Sequence, residues 1–350
     1  MTSKKPAAAV TPIQHVVIIT KENHTFDNYF GTFPGATGVT LPQAPDPVND
    51  PRHDHTAWLN RNHKGGAVKL QYKQKDIPKY WSLAQQFTLC DNYFTDVASQ
   101  SEPNHLMLIC ANSPLINNYH SSHPGEHGEP VPPFKMPSLP AALATAKLDW
   151  RNYADANESY FDQIDGLVGD PSNVSSAQFD KDVAKGYLPA VAWLYAPGGF
   201  SEHPPFATRH GKTPGPVVGP GQNWTIDRIN LLAASPLWAN TAIFLTWDDW
   251  GGWYDHVDPP DVAQWPNDGT NYSGTQFRYG PRVPCLVVSP YAKKGYISKN
   301  FHSHVSVVKF CLGNFKLPSL GALDSNPGDK SDAMDDCFDF TQKPLPPPKL

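Results

Sequence analysis

The chain has 350 residues, which is enough for one large α/β domain or for two domains of ordinary size. Its 28 lysines and arginines against 33 aspartates and glutamates give a formal net charge of −5, and this balance gives no support for a nucleic-acid partner. No apolar run approaches the roughly 20 residues that a membrane-spanning helix needs, so we expect no transmembrane segment.

The cysteines and the N-terminus bear on the compartment in which the protein works. Five cysteines are scattered along the chain without a Cys-x-x-Cys pair, which argues against a zinc ribbon or a redox motif. Their odd number leaves at least one thiol outside any disulfide. The first residues, MTSKKPAAAVTP, lack the apolar core of a secretion signal. We therefore expect a cytoplasmic protein, or a secreted or periplasmic one from which a signal has been removed.

Apolar runs recur along the chain and predict the strands of a sheet. The predicted strands are 13–20, 148–153, 190–195, 242–246 and 283–289. Between them, helices are predicted at 78–87, 105–110, 138–147, 222–237 and 303–312. The alternation of strand and helix is typical of a layered α/β domain with a mostly parallel sheet between helices.

The domain organisation follows from the segments between these elements. Long polar, proline-rich segments lie at 34–70, 113–137, 196–221 and 258–280. We interpret them as loops around an active site and not as a second domain. The prediction is a flexible N-terminal segment over 1–12, one domain over 13–342, and a proline-rich tail over 343–350 with little to pack against.

Polar side chains follow the predicted strands at the point where each strand ends. They are Glu22 and Asn23 after the first strand, His203 after the third, Asp248 and Asp249 after the fourth, and His304 after the fifth. Ligands of open parallel sheets gather beyond the carboxyl ends of the strands. The sequence therefore predicts that these metal-competent groups meet at one edge of the sheet.

The adjacent acids Asp248 and Asp249 stand in an apolar stretch, TWDDWGGWYDHV (246–257). Burying two carboxylates side by side is costly unless a cation receives them. An Asp pair can also simply cap a strand-to-loop turn, where Asp is favoured. We interpret the pair as cation ligands.

Ser101 leads into the apolar helical run 105–110 and is predicted at or near a helix N-terminus. Free backbone N–H groups and the helix dipole favour an anion there. A serine beside a carboxylate-held metal can attack phosphorus, because the metal lowers the pKa of the hydroxyl. The competing interpretation is that Ser101 is a plain helix cap.

Taken together and in order, these motifs resemble the phosphoesterase family that includes bacterial non-specific phospholipases C and related acid phosphatases. The resembling stretches are HVVIITKENHTFDNYFGTFPG (15–35), CDNYFTDVASQSEPNHLML (90–108), SEHPP (201–205), TWDDWGGWYDHVDPP (246–260), RVPCLVVSPYAKKGYI (282–297), HSHVSVVKF (302–310) and CFDF (337–340). The resemblance runs almost end to end. It implies a fold similar to that of alkaline phosphatase and a metal-dependent hydrolase of phosphoric esters.

The resemblance also implies roles for single residues. Glu22 matches a metal ligand, and its neighbour Asn23 matches a phosphate contact. Ser101 falls at the position of the Thr or Ser nucleophile of the family. Asp248 and Asp249 match an Asp-Glu pair that binds metal, with the second acid shortened by one methylene.

Two histidines are implied in the reaction as well. His203 and His304 match family histidines that bind a second metal or protonate the leaving oxygen. One departure lies next to the nucleophile, because Ser99 and Gln100 replace the Gly-Pro of the family motif while the hydroxyl of Ser101 is kept.

The cofactor and the substrate remain open in their details. An oxygen-rich site suits magnesium, calcium or manganese, and the nearby histidines leave zinc as an alternative. The expected partner is a phosphate ester, with phospholipid among the candidates, so that phospholipase C and phosphomonoesterase activities are both open. The oligomeric state is not predicted.

The aromatic cluster Trp247, Trp250, Trp253 and Tyr254 supports an alternative function. Such residues can form a cage for choline through cation–π contacts, and a non-catalytic secreted binding protein would use them as a ligand platform. More often they pack in the core, which is the interpretation we favour.

Other polar residues flank the motifs with less definite roles. His24, His105 and His302 are weaker candidates for phosphate contacts. Asp255 and His256 fit a buried structural contact as well as they fit catalysis.

Overall fold

The computed structural model describes residues 9–119, 130–155, 160–205, 215–321 and 328–350. Its strands are β1 (His15–Lys21), β2 (Thr88–Cys90), β3 (Tyr93–Phe94), β4 (Trp150–Tyr153), β5 (Asn173–Val174), β6 (Val191–Tyr195), β7 (Thr241–Trp247), β8 (Ala263–Gln264), β9 (Gln276–Arg278), β10 (Cys285–Val288), β11 (Tyr296–Ser298) and β12 (His302–Ser303). Its α-helices are α1 (Phe26–Phe30), α2 (His55–Leu59), α3 (Pro78–Gln86), α4 (Ser101–Cys110), α5 (Leu139–Thr145), α6 (Gln178–Ala184), α7 (Val218–Ala233) and α8 (His304–Asn314). Short 3-10 helices cover Phe161–Gln163, Pro236–Asn240 and Asp335–Cys337.

Eight strands form the main sheet, in the order β11-β2-β10-β7-β1-β6-β4-β5. The central strands β1, β6 and β7 are parallel. Every residue of β7 is buried, which requires cover on both faces of the sheet. The predicted α/β class with a mostly parallel sheet between helices is therefore confirmed.

One strand runs against the others and corrects the sequence analysis. Strand β10 is antiparallel to both β7 and β2, so its carboxyl end lies at the edge opposite to the end of β7. His304 reaches the predicted edge by another route. It follows β11, which is parallel to β2 and returns the chain to that edge.

The core helices hold the residues that follow the strands. Helices α4 and α8 pack against each other, and all ten residues of α4 are buried. The predicted helix at 105–110 thus begins four residues earlier, at Ser101. Because α4 starts with Ser101 and α8 starts with His304, both residues lie at the edge of the sheet where β1 and β7 end.

The two ends of the described chain contact the domain. In the predicted flexible segment, residues 1–8 lie outside the described residues, while Val10 N donates to the carbonyl of Asn314 at 2.9 Å. In the tail, Leu345 N donates to the Pro290 carbonyl at 2.7 Å, and Lys349 N donates to Gln86 Oε1 at 2.9 Å. The tail therefore packs more than the sequence suggested, and the domain limits themselves stay a prediction. Within the residues described, no helix is long and apolar enough to cross a membrane.

Candidate active site

The residues after β1 and β7 lie side by side because these strands are parallel neighbours. Lys21 is in register with Trp247, and Asp248 N continues the ladder by donating to the Lys21 carbonyl at 3.0 Å. Glu22 and Asp248 are therefore brought together by strand pairing. This is the convergence that the sequence predicted for the ends of the first and fourth strands.

The glycines after the acids allow a close approach of two loops. Gly251 has φ +56°, and a Cβ there would lie 2.4 Å from the carbonyl oxygen of Asn23. Gly252 has φ +74°, and a Cβ there would lie 2.7 Å from the carbonyl oxygen of Arg52. Any larger residue would push Asn23, itself at φ 88°, out of its position. The Gly-Gly pair therefore shapes the site.

Asp248 and Asp249 are both fully buried, and their surroundings differ. Asp249 accepts hydrogen bonds from the Gly251 amide at 2.6 Å and from Ser101 Oγ at 3.0 Å. Neither carboxylate oxygen of Asp248 accepts a hydrogen bond from any described residue. The His105 ring lies beside it, with Nε2 3.4 Å from Asp248 Oδ2.

The proximity of the two acids perturbs their ionisation. Burial raises the pKa of Asp249 well above its ordinary value, and the charge of Asp248 adds to that effect. Burial also raises the pKa of Asp248, but the contacts with His105 and Ser101 outweigh it and hold that pKa below its ordinary value. The pair is thus an acid that keeps its charge beside one that resists ionising, which is the pattern expected when like charges share a buried place.

Ser101 is the first residue of α4, and its hydroxyl faces the acids. Its Oγ donates to Asp249, while the preceding Gln100 is the N-cap and makes no side-chain cap hydrogen bond. The Glu102 amide donates to Asn118 Oδ1 at 2.8 Å, and Pro103 has no N–H. The first turn therefore offers a substrate at most the amide of Ser101, which is less than the general argument from helix N-termini assumed.

Asn23 and His203 are linked through a histidine that the sequence analysis did not single out. His53 Nε2 lies 3.3 Å from Asn23 Nδ2, and the His53 and His203 rings are 6.1 Å apart. Asp50, His53 and His203 can bring one ligand atom each within 4.8 Å of the others. His53 sits in a long polar loop with no motif around it, so the sequence carried no indication of its place here.

His203 also faces Glu22. Its Nδ1 shares a hydrogen bond with the Pro204 carbonyl at 2.6 Å, which makes Nδ1 the protonated nitrogen. Its Nε2 lies 4.0 Å from Glu22 Oε2. The Nε2 side of the ring is therefore the one turned toward the acids.

His304 makes two hydrogen bonds behind the acids. Its Nε2 lies 2.7 Å from the backbone carbonyl of Asp248, and its Nδ1 lies 3.0 Å from the hydroxyl of Tyr93. Since a carbonyl only accepts, Nε2 carries the proton and Nδ1 accepts from Tyr93. Burial lowers the pKa of His304, consistent with a neutral ring. Both ring nitrogens are engaged, and their effect is to fix the backbone of Asp248.

Three aromatic or imidazole rings that the sequence ranked low or missed complete the site. His105 stacks on Tyr160 with ring centres 4.2 Å apart and lies 5.3 Å from the ring of Tyr195. Burial raises the pKa values of both tyrosines, and the charges of Glu22 and Asp248 raise them further. Both phenols therefore stay protonated beside the acids.

The tryptophans near the acids lie in the core. Trp247, Trp250 and Trp253 are at most 1% exposed. Trp247 Nε1 donates to Glu202 Oε2 at 3.2 Å, and Trp250 Nε1 donates to the His53 carbonyl at 2.9 Å. This confirms the packing interpretation. The alternative function, a binding protein with these rings as its ligand platform, receives no support.

A buried ion pair packs beside the candidate site, at the end of β1. Lys21 Nζ lies 3.4 Å from Glu202 Oε1, and both side chains are fully buried. Glu202 also accepts from the hydroxyls of Tyr29 and Tyr80, at 2.7 and 2.6 Å. His24 is part of the same structural layer, because its Nε2 lies 3.2 Å from the Glu202 carbonyl.

Asp255 and His256 belong to a separate charged cluster around Arg282. Arg282 Nε donates to Asp255 Oδ1 at 2.8 Å, and its guanidinium also reaches Asp27 Oδ1 at 3.2 Å. His256 Nδ1 lies 2.7 Å from Asp27 Oδ2. Each charge here has a partner, so the structural interpretation of these two residues is the one that the contacts support.

Glu22, Asp248 and Asp249 do not form a tight three-acid group. Four groups of the described chain bring three His, Cys, Asp or Glu ligand atoms within 4.8 Å of one another, and these three acids are not one of them. Asp249 is instead turned toward Ser101 and Gly251 by its two hydrogen bonds.

Comparison with known proteins places the chain among phosphoesterases. A model described as the Phosphoesterase family matches residues 13–48 and 42–318. The chain is 26% identical to the non-hemolytic phospholipase C of Burkholderia pseudomallei, over 89% of the chain and 56% of that protein. It is 27% identical to phospholipase C A of Mycobacterium tuberculosis, over 96% of the chain and 79% of that protein. The chain thus spans little more than half the length of the first of these relatives.

Solved structures agree on the fold. Murine ectonucleotide pyrophosphatase/phosphodiesterase 5 superposes with a TM-score of 0.53, at 10% identity, over 93% of this chain and 100% of that one. At this identity the likeness concerns the fold alone. The predicted layered α/β domain is confirmed.

Proposed function

Because the chain belongs to the phosphoesterase family, we propose that it hydrolyses phosphoric esters, with Ser101 as nucleophile and a divalent metal ion held by Glu22, Asp248 and Asp249. The observation that carries the proposal is the hydrogen bond from Ser101 Oγ to Asp249 at 3.0 Å, beside a buried Asp248 carboxylate. A hydroxyl, a proton acceptor and a carboxylate that accepts no hydrogen bond from the described residues lie side by side.

The donor set fits a hard divalent cation. Neither Asp248 oxygen, nor Oδ1 of Asn23, has a hydrogen-bond partner among the described residues, although all three atoms are buried. Buried carboxylates are stable when a cation or hydrogen bonds compensate them. Carboxylate and amide oxygens suit magnesium, calcium or manganese, while His105 and His203 nearby keep zinc among the candidates. When bound, such an ion would neutralise the ester oxygens and favour the ionised serine hydroxyl.

Ser101 and Asp249 would carry the first half of the reaction. Asp249 Oδ2 accepts the hydrogen bond of the serine hydroxyl, so it is placed to hold the proton as Oγ attacks phosphorus. Attack would leave a phosphoserine, which water then hydrolyses.

Asn23, His53 and His203 would act on the other side of the phosphoryl group. The Asn23 amide can donate to a phosphoryl oxygen, and the backbone at φ 88° fixes its direction. The leaving oxygen needs a proton, which His203 can supply from Nε2 when its ring carries a proton on both nitrogens. His53 joins the proposal as a positioning residue, because its Nε2 accepts a hydrogen bond from the Asn23 amide at 3.3 Å.

His304 takes a different role from the one that the resemblance implied. Since both of its nitrogens are hydrogen-bonded, to the Asp248 carbonyl and to Tyr93, we assign it as a positioning residue that holds the metal-binding loop. It would not bind a second metal or protonate the leaving group in this arrangement.

The proposed substrate class is a phosphodiester of the kind that phospholipase C cleaves. Support comes from the relatives, since those named above are phospholipases C. A phosphomonoesterase remains the competing proposal, because the same residues would attack either ester.

The test is an activity panel with defined metal content. Metal-stripped protein is assayed on a phosphomonoester, a simple phosphodiester and phosphatidylcholine, each with magnesium, calcium, manganese or zinc restored. We expect no turnover without metal, recovery with at least one ion, and preference for the choline phospholipid. Asp248→Asn should lose metal binding and turnover together. Full turnover of the stripped protein would refute the metal-dependent proposal, and preference for the monoester would select the phosphatase.

A further inference from the structure

A second group of metal-competent side chains lies apart from the proposed reaction. It joins Cys90 at the end of β2, His302 in β12, and Cys337 in the short 3-10 helix near the C-terminus. All three residues are fully buried, and one ligand atom of each lies within 4.8 Å of the other two. Neither the proposed nucleophile nor the proposed acids take part in this cluster.

Four distances within the group Cys90, His302, Cys337 and Asp336 are close to the edges of a small tetrahedron. Cys90 Sγ and Cys337 Sγ are 3.7 Å apart, and Cys337 Sγ lies 3.8 Å from His302 Nε2. Asp336 Oδ1 lies 3.4 Å from His302 Nε2 and 3.7 Å from Cys337 Sγ. With zinc bonds of about 2.3 Å to sulfur and about 2.0 Å to nitrogen or oxygen, tetrahedral sites have ligand–ligand edges of about 3.3 to 3.8 Å.

The sulfur separation also bears on a disulfide. A disulfide needs the two sulfurs at about 2.05 Å, so the 3.7 Å between Cys90 and Cys337 corresponds to two separate thiols. Such a spacing suits two sulfurs that share one ion better than two sulfurs that share a bond.

The histidine is held as metal-binding histidines usually are. His302 Nδ1 lies 2.6 Å from Asp332 Oδ1, which turns Nε2 toward the two sulfurs. A carboxylate on the far nitrogen of a ligand histidine is a recurrent outer contact of zinc sites. Without a metal, Ser298 Oγ satisfies Nε2 at 2.8 Å, and Ser298 also donates to Asp336 Oδ2 at 2.5 Å.

The local charge favours a cation. The carboxylates of Asp332 and Asp336 lie 2.6 and 3.4 Å from the two ring nitrogens of His302. A cation bound beside His302 would therefore be stabilised by two nearby negative charges.

We propose that Cys90, His302, Cys337 and Asp336 bind a structural zinc ion. Thiolate and imidazole ligands select zinc over magnesium or calcium, and four protein ligands leave no open position for catalysis. Binding displaces the two thiol protons, and any proton on His302 Nε2, into solvent, and the thiolates and the imidazole then donate electron pairs to the ion.

A zinc ion at this site would link the C-terminal segment to strand β2 of the sheet. Cys90 and Cys337 are separated by 247 positions in the chain, and Cys337 lies beyond the last long helix. The same ion would fix His302, two residues before His304, whose ring holds the Asp248 carbonyl. Zinc here would stabilise the domain and brace the candidate active site without entering its chemistry.

Cobalt(II) titration of the reduced, metal-free full-length protein tests this site separately from the catalytic one. A thiolate ligand gives cobalt an intense near-ultraviolet charge-transfer band, whereas oxygen ligands of the candidate active site do not. We expect the band to saturate at one cobalt per chain and to be displaced by zinc. Cys90→Ser and Cys337→Ser should each weaken the band at least about two-fold, because each removes one of its two thiolates.

Cys311→Ala is the matched control, because Cys311 is an equally buried thiol on α8 outside the cluster. It should keep the band and the zinc content of the wild type. If a serine variant fails to fold, the wild-type spectrum decides by itself. A wild-type protein without the band, or a Cys90–Cys337 disulfide that persists in protein produced with zinc, would overturn the proposal. Failure of the phosphoesterase proposal would leave this result unchanged.

Discussion

Two buried acidic groups lie close together in residues 246–257, and the protein satisfies them in opposite ways. Asp255 accepts from Arg282 Nε at 2.8 Å and from the amides of Val257 and Asp27 at 3.0 and 3.1 Å. The Asp248 side chain is as inaccessible as that of Asp255, at 0% against 2% exposed, yet its carboxylate accepts no hydrogen bond from the residues the structure describes. The chemistry of the side chains is the same, and only their partners differ.

The difference separates structural charge from functional charge. A buried acid with a full set of partners, like Asp255, stabilises the surrounding loops and loses stability when a partner is removed. A buried acid that accepts no hydrogen bond from the described residues, like Asp248 with the His105 ring 3.4 Å away, costs stability and is tolerated better when a cation compensates it. The comparison predicts that equivalent substitutions in the two regions have different consequences.

The largest effect is expected at the nucleophile. Ser101→Ala should lower turnover by at least about a thousand-fold, because the covalent path is lost while the acids remain. Metal content and thermal unfolding should stay close to those of the wild type. Ser99→Ala is the control, since Ser99 Oγ bonds, among the described residues, to Asn117 Oδ1 at 2.7 Å and not to the acids, and it should remain active. Trapping of phosphate on the peptide containing Ser101 would identify the intermediate, and a largely active alanine variant would exclude it.

Substitutions in the charged cluster around Arg282 should lower the free energy of unfolding. Arg282→Met leaves Asp27 and Asp255 buried without their cation, so we expect a loss of about 3–5 kcal/mol in the free energy of unfolding. Chemical denaturation measures it. Arg52→Met removes an arginine whose side chain is 77% exposed beside Asp54, and it should change stability by less than about 0.5 kcal/mol. Equal effects of the two variants would contradict the assignment of the cluster as structural.

A pH effect should come from Glu102, next to the nucleophile. Burial raises the pKa of this carboxyl from its ordinary value of 4.5 to about 7. A folded pKa above the unfolded one means that protonated Glu102 favours the fold, and that this contribution is lost as pH rises. We expect the metal-free protein to lose up to about 3 kcal/mol between pH 4.5 and 7.

Unfolding curves across this pH window provide the measurement. Glu102→Gln should flatten the decline, because an amide does not ionise. Asp258→Asn, at an exposed carboxylate whose side chain is 76% accessible, should leave the slope unchanged. A Glu102→Gln variant with the full wild-type slope would show that another group causes it.

The smallest expected effect is a change in the free energy of unfolding that has opposite signs at Asp249 and Asp255. In metal-free protein at pH 8, Asp249→Asn should raise stability by about 1–2 kcal/mol, because it removes a charge that burial and Asp248 disfavour. Asp255→Asn should lower stability, because Arg282 loses a charged partner. Denaturation midpoints of the two variants compare them directly, and changes of the same sign would remove the distinction between the regions.

Much of the fold was readable from the sequence because its main strands are long and apolar. The predicted strand at 242–246 corresponds to Thr241–Trp247, and the prediction at 190–195 corresponds to Val191–Tyr195. The strands Thr88–Cys90 and Tyr296–Ser298 were missed. Three residues are too few to show a periodicity, and such strands exist because neighbours pair with them.

The direction of each strand was also not predictable from the sequence. The sequence identified an apolar strand at 283–289, but nothing in it tells whether that strand runs with or against its neighbours. Cys285–Val288 is antiparallel because it pairs between β7 and β2 in that sense. The edge at which its flanking residues lie was therefore decided by pairing alone.

For the candidate site, the sequence by itself determined which residue types follow the strands, and it marked Glu22, Asn23, Ser101, Asp248 and Asp249. Local spacing carried that information, because a residue that ends a parallel strand has one edge on which to lie. Only the tertiary structure showed that His53 contacts Asn23 and that Cys90 lies beside Cys337. It also showed that both ring nitrogens of His304 form hydrogen bonds. Contacts between distant segments are set by how loops and helices pack across the sheet, and no local pattern of residues encodes that packing.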